Sequence, residues 1–227
     1  MKMTLLAGIS LSMFAANCAA AAVVNPTGYD MPNGQTGTYT YYDDSYNGLG
    51  DKSATLSPLS GGLGDLTDGK FATDHWYNVS GVPYVGWYSI SPVITFHFAQ
   101  SIDFGSVTFY FDNTSDPRPG SVISPASWTV SDGSSSATHV TTLAEFADYS
   151  PNQAQTIDLT GFAGDKLTVT INPVAGLYTM ISEVAFAGTP SGTSAAPEPA
   201  SWAMMLTGFG VAGMAIRRRK QAQLRCA

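Results

Sequence analysis

Between positions 75 and 88 the chain places His75, Trp76, Tyr77, Tyr84, Trp87 and Tyr88, a dense run of rings interrupted by Gly81, Pro83 and Gly86. Exposed rings of this kind stack on the apolar faces of sugars, while neighbouring polar groups bond the hydroxyls. Asp74, Asn78 and Arg118 are the polar candidates. The competing reading is ordinary β-domain core, the default for any single tryptophan or tyrosine.

Catalytic chemistry finds less support. The three histidines, His75, His97 and His139, form no H-E-x-x-H pair, and no G-x-S-x-G elbow or phosphate loop occurs. His97 and His139 fall at strand positions expected to face solvent. Paired carboxylates for glycoside hydrolysis depend on spatial separation, so an exopolysaccharide hydrolase stays a minor alternative. No residue is assigned a catalytic role, and the expectation is a protein that is not an enzyme.

Charge narrows the partners. From Val23 to Ala196 only Lys52, Lys70, Arg118 and Lys166 are basic, against sixteen acids, a net of −12. Such a body repels phosphate backbones and excludes nucleic acid as a partner. It is compatible with calcium, which takes clustered oxygens. Both cysteines, Cys18 and Cys226, lie in terminal segments expected to be removed, so disulfides do not hold the body.

The elements that must position these residues alternate with period two. Ile94, Phe96 and Phe98 share one face, as do Val107, Phe109 and Phe111. Trp128 and Val130, Ile157 and Leu159, and Leu167, Val169 and Ile171 continue the series, and Tyr178–Ala187 closes it. Turn residues such as Asp112–Pro117, Ser131–Ser134 and Asn172–Pro173 separate them. This pattern predicts an all-β, antiparallel β-sandwich of jelly-roll type, with one helical turn at Leu143–Phe146. Tyr39–Tyr41 is expected to open a strand that joins the sheet, and Asp43–Gly64 to be loop.

The two ends carry addresses. A basic tip at Lys2, an apolar Leu5–Ala16 and small residues through Ala22 read as a signal peptide cut after Ala20 or Ala22. Lipidation of Cys18 ranks second. At the other end Pro197-Glu198-Pro199 precedes Trp202, an uncharged Ala203–Ile216 and the cluster Arg217-Arg218-Arg219-Lys220. The order suits an interfacial anchor, a single transmembrane helix and a cytoplasmic basic stop. Fifteen or so residues reach about 22 Å of a roughly 30 Å core, which snorkelling arginines and local thinning can accommodate.

That tail closely resembles the PEP-CTERM sorting signal of Gram-negative bacteria. The resemblance implies recognition of Pro197, Glu198 and Pro199 by a membrane-embedded exosortase, transient anchoring in the inner membrane, and delivery to the cell surface or an extracellular polysaccharide matrix. Signal peptidase would be the other processing partner.

Within the body, Leu66-Thr67-Asp68-Gly69 followed by Thr73 and Trp76, and the closing Ile181-Ser182-Glu183-Val184, resemble the signatures of discoidin-like, galactose-binding-like sandwiches. That group includes many bacterial carbohydrate-binding modules. The resemblance implies a structural Ca²⁺ tying Asp68, with Thr73 and Asp65, to Glu183 across the domain. The ring density between positions 75 and 88 makes Asp74, His75, Trp76, Tyr84, Trp87, Tyr88 and Arg118 the candidate ligand surface.

The expected organisation is a signal peptide at 1–22, a Gly/Tyr-rich lead-in at 23–60, the sandwich at 61–190, a linker at 191–196, the sorting segment at 197–220 and a cytoplasmic tail at 221–227. The expected function is exported, non-catalytic binding of carbohydrate or exopolysaccharide matrix. A structural biofilm-matrix protein with no specific ligand is the alternative.

Overall fold

The computed structural model describes residues 22–78, 83–192 and 204–209. In chain order the body runs β1 (Ala22–Val24), β2 (Gly28–Pro32), β3 (Pro58–Gly62), β4 (Val85–Tyr88), β5 (Val93–Asn113), β6 (Ser127–Ser131), β7 (Ser136–Val140), α1 (Leu143–Ala147), β8 (Ser150–Asp158), β9 (Ala163–Asn172) and β10 (Tyr178–Pro190).

Both layers grow from β5. Its first half pairs antiparallel with β2 on one side and β9 on the other, and β9 leads on to β6 and β7. Its second half pairs with β8, and β10 lies beside it carrying β1 and β4. The two strands expected at Val93–Phe98 and Ser106–Phe111 are therefore one. The switch between layers falls where the β5–β9 register shifts between His97 and Ile102, opposite Gly164 at φ +153°. A bulge there lets one strand serve two sheets.

The period-two faces meet between the layers. Phe186 packs on Phe96 and Phe98 at 4.8 and 5.3 Å, and Trp128 on Phe109 at 4.7 Å between ring centroids. Trp128 is fully buried and its indole N–H donates to Gln155 Oε1 at 3.0 Å. The amide of Gln155 in turn reaches Gln153 and Thr141. A polar atom inside this core has a partner, as burial demands.

The opening segment departs from expectation. Gly28–Pro32 and Pro58–Gly62 form the strands, while Tyr39–Tyr41 contributes only an isolated Thr36–Thr40 bridge. The loop between them is sewn down by side chains. Asn33 accepts the N–H groups of Gly34 and Asp43 and donates to the carbonyls of Lys52 and Ala54. Tyr46 donates to Tyr29 O and accepts from Gly62 N, and buried Tyr29 donates to the carboxylate of Asp43. These bonds satisfy backbone groups that no ladder reaches. Gly34 fits because a Cβ there would fall 1.8 Å from the Tyr41 carbonyl oxygen.

The helical turn forms as expected. Thr142 and Glu145 make a reciprocal capping box, Glu145 N–H to Thr142 Oγ1 at 3.2 Å and Thr142 N–H to Glu145 Oε2 at 2.6 Å. Neither surface histidine is simply solvated. His97 pairs with Asp30 at 2.7 Å, and His139, partly buried beside Trp128, lies 2.9 Å from Glu145. Among the described residues no helix is long and apolar enough to cross a membrane. Residues 204–209 are helical, but the expected signal peptide at 1–21 and most of the sorting segment lie outside the described residues.

Candidate functional site

At one end of the sandwich, β5 finishes with Asp112 and Asn113, both fully buried, and these two side chains organise the loops around them. Asp112 receives His75 Nδ1 on one oxygen and the Trp76 backbone N–H on the other, each at 2.7 Å. Asn113 donates to the carbonyls of Glu145, Phe146 and Asp148 at 2.7, 3.3 and 2.8 Å. One residue thus fixes the loop between β3 and β4, and the next fixes the exit of α1. Burial pushes the Asp112 carboxyl up to about 6, against the opposing pull of His75 and the Trp76 N–H.

His75 is the wedge between the two loops. Its ring stacks on Tyr77 at 5.6 Å and 8°, and touches Tyr149 at 4.1 Å. Tyr77 and Tyr149 share a hydroxyl–hydroxyl hydrogen bond across 72 positions. Their exposed faces (41% and 56%) border an open cleft of about 610 Å³, with Trp76, Arg118, Asp116 and Ser121 among its other walls. Arg118 folds back on Asp116, its Nη2 2.5 Å from Oδ2. Two polar atoms near this cleft are buried with no hydrogen-bond partner: Trp76 Nε1 and Ser115 Oγ.

The expected ligand residues therefore separate. Trp76 and Arg118 line the cleft. His75, Tyr84 and Trp87 are buried, which corrects their reading as surface contacts. The Tyr84 hydroxyl donates to the carbonyls of Asp74 and Pro151, and the Trp87 indole to those of Pro32 and Asn33. Asp74 accepts from His75 N–H and Asn78 Nδ2, shaping the loop. Tyr88 is exposed but borders Tyr178 instead of the cleft. Tyr149 was missed, as was the role of Asp112 and Asn113, which read in sequence as turn residues.

Away from the cleft, the early aspartate loop meets the closing strand. Glu183 accepts the Gly69 N–H at 2.8 Å, and Val184 N–H donates to Leu66 O at 2.8 Å. Burial pushes the Glu183 carboxyl up to about 7, with Asp68 nearby adding to the rise. Asp65 is engaged by Ser45 and the Asp44 N–H, Asp68 by Lys70 at 2.6 Å, and Thr73 is exposed. Among the described residues no three His, Cys, Asp or Glu side chains are grouped to hold a metal. An ion here would draw on Asp68 and Glu183, completed by hydroxyl and backbone oxygens, a mixture calcium accepts. Thr67 Oγ1, in the same loop, is buried without a partner, so the residues present are compatible with such an ion.

Residues 26–188 match the family model of the discoidin domain-containing receptor 1/2, DS-like domain. The chain belongs to that family. The DS-like body is followed by a PEP-CTERM protein-sorting motif at residues 195–220, so the protein is of an exported type. No curated protein matches the chain significantly. Among solved structures, the C-terminal domain of a chitobiase from Bacteroides fragilis is 11% identical, with a TM-score of 0.43, covering 75% of this chain and 100% of that one. A Streptococcus pneumoniae fucose binding module is 16% identical, at a TM-score of 0.36 and coverages of 52% and 79%. The family 32 module of Clostridium perfringens NanJ, solved with galactose, is 9% identical, at 0.32 and coverages of 46% and 75%.

Proposed function

We propose that this DS-like protein is a non-catalytic carbohydrate-binding protein, exported and handed to an exopolysaccharide matrix or the cell surface through its sorting tail. The observation that carries the reading is the cleft at the end of β5. Tyr77 and Tyr149 present exposed ring faces there, held by a buried His75–Asp112 pair, beside an indole N–H with no partner of its own. The tyrosine faces supply stacking surface, and Ser121 and Arg118 in the same walls supply polar groups for sugar hydroxyls. The rings are preorganised, so little ordering entropy is spent on binding.

Titration of the full chain with soluble polysaccharides, beside Tyr149→Ala, tests this. Saturable binding that Tyr149→Ala weakens by about tenfold, a loss of about 1.4 kcal/mol, is expected. No retention on any polysaccharide would count against the reading.

In this reading signal peptidase and an exosortase process the ends, with Pro197, Glu198 and Pro199 as the exosortase element and the segment around Trp202 to Arg219 crossing the inner membrane in transit. A structural Ca²⁺ on Asp68 and Glu183 belongs to the same proposal. What supports it is the unpartnered Thr67 hydroxyl in the Asp68 loop and Glu183 of β10, which accepts the Gly69 N–H of that loop. The expected outcome is a melting temperature that rises with calcium and falls with chelator, and that stops responding in Glu183→Gln. A melting point indifferent to both would remove the ion.

A further inference from the structure

The cleft is one end of a longer track of rings. From Tyr77 the ring contacts pass to Trp76 at 5.7 Å and then to Tyr39 at 6.4 Å and Tyr41 at 6.3 Å. Tyr41 leads to Tyr178 at 5.5 Å, and Tyr178 to Tyr88 at 5.0 Å. Beyond Tyr77 and Tyr149, two more members keep open surface: Tyr39 at 40% and Tyr88 at 37% exposed. The buried Tyr41 and half-buried Tyr178 underlie them.

The scaffold beneath this track is rigid. Gln35 N–H donates to Gly86 O, Gly86 N–H to Tyr41 O, and Gln35 Oε1 accepts the Tyr88 N–H at 2.6 Å. The segment carrying Tyr39 is thereby fastened to β4 by main-chain bonds. The Tyr178 hydroxyl donates to Thr36 O at 3.0 Å and packs where a side chain on Gly37 would stand, with a Cβ there only 2.6 Å from it. The track lies apart from the inter-sheet core: Tyr41, Trp76 and Tyr178 pack with Ala72, Tyr84, Val122 and Met180 in a second, smaller cluster, which leaves Tyr39 and Tyr88 as the open members.

Charge selects the occupant. Residues 35–42, 75–78 and 83–92, which build the track, contain no Asp, Glu, Lys or Arg, although the body as a whole carries a net of −12. At the cleft end the cation in the wall, Arg118, is already paired with Asp116, so an acidic polymer would meet a repulsive field with little to offset it; a neutral one meets rings and hydroxyls.

We propose that the Tyr39–Tyr88 track forms outer subsites that receive the interior of an uncharged polysaccharide chain, so that the protein holds polymers along their length rather than single terminal sugars. This rests on the cleft being a carbohydrate site, and the two claims fail differently.

The probes are soluble mannan, galactan and β-glucan, with alginate as the acidic polymer and the corresponding monosaccharides as competitors. Full chain, Tyr39→Ala, Tyr88→Ala, the double variant and Tyr149→Ala are compared. The expected result is binding of at least one neutral polymer, reduced about tenfold in the double variant with an unchanged melting curve, and poor competition by the free monosaccharide. Wild-type affinity in the double variant, with loss only in Tyr149→Ala, would overturn the track and leave the cleft standing. Tighter binding of alginate than of any neutral polymer would overturn the choice of ligand. Absence of binding to every probe would overturn the cleft and the track together.

Discussion

Trp128 and Trp76 are both packed against aromatic neighbours, yet the fates of their indole N–H groups differ. Trp128 stands on a strand face between the layers, where its N–H reaches Gln155 and the glutamine is itself bonded onward. Trp76 stands in a loop pinned by Asp112, and its N–H is covered without a partner. Leaving a buried donor unmade costs about 1–3 kcal/mol. The strand face spends polar groups on internal closure, whereas the loop end leaves a covered donor unpaired beside a cleft. Cohesion and recognition are thus built from the same residue type under opposite rules.

The largest way to sharpen this contrast is to truncate the two tryptophans. Trp128→Ala is expected to cost about 3–5 kcal/mol, because it opens a cavity against Phe109 and orphans Gln155. Trp76→Phe keeps a smaller ring while removing the unbonded N–H, so denaturant unfolding should change by less than about 2 kcal/mol, well short of Trp128→Ala, while ligand affinity falls. Equal destabilisation by both would break the distinction.

Next in size is Asp112→Ala, which strands the His75 imidazole and the Trp76 N–H in a buried site. A loss of about 3 kcal/mol is expected in urea unfolding, with ligand binding lost as well. If binding survived that substitution unchanged, the pair would not be what positions the cleft.

A smaller effect is set by pH. The folded-state values of Asp43 and Asp112, about 6, and of Glu183, about 7, lie above their ordinary 3.8 and 4.5. Over that interval the folded chain binds protons that the unfolded chain has released. The contribution of these groups to stability is therefore full below about pH 4 and falls as pH rises through 6 and 7. Thermal melts should show Glu183→Gln losing the upper part of this dependence in the absence of calcium. A Glu183→Gln protein with the wild-type slope would contradict the raised carboxyl.

The smallest effect is expected of Arg118→Ala. The Arg118–Asp116 pair is exposed and adds nothing measurable to stability, so the melting point should stay put. Any change belongs to binding, as a few-fold loss at most.

How much of this was legible in the sequence follows the same division. The core strands announced themselves because alternation at Ile94/Phe96/Phe98 and Leu167/Val169/Ile171 reports burial directly. β7 did not, since Ser136–Val140 is an edge strand with no apolar face to display. β2 was hidden by its brevity, and by a polar loop held through Asn33 and Tyr46 rather than by periodic burial. At the site, Trp76 was among the rings that density singled out, although its short motif suits core packing equally. Tyr149 was not, because its partner Tyr77 lies 72 positions away, and no local pattern encodes that meeting. Trp87 and Tyr84 looked like ligand rings because sequence shows ring density and not exposure.

The most direct test of the cleft is tryptophan emission during titration of the full chain with a bound neutral polysaccharide. Trp87 and Trp128 are sealed, and Trp202, in the sorting segment, is replaced by phenylalanine in both proteins compared, so a saturable change in emission should come from Trp76 and vanish in Trp76→Phe. The same saturable signal persisting in Trp76→Phe, at undiminished affinity, would place the ligand elsewhere.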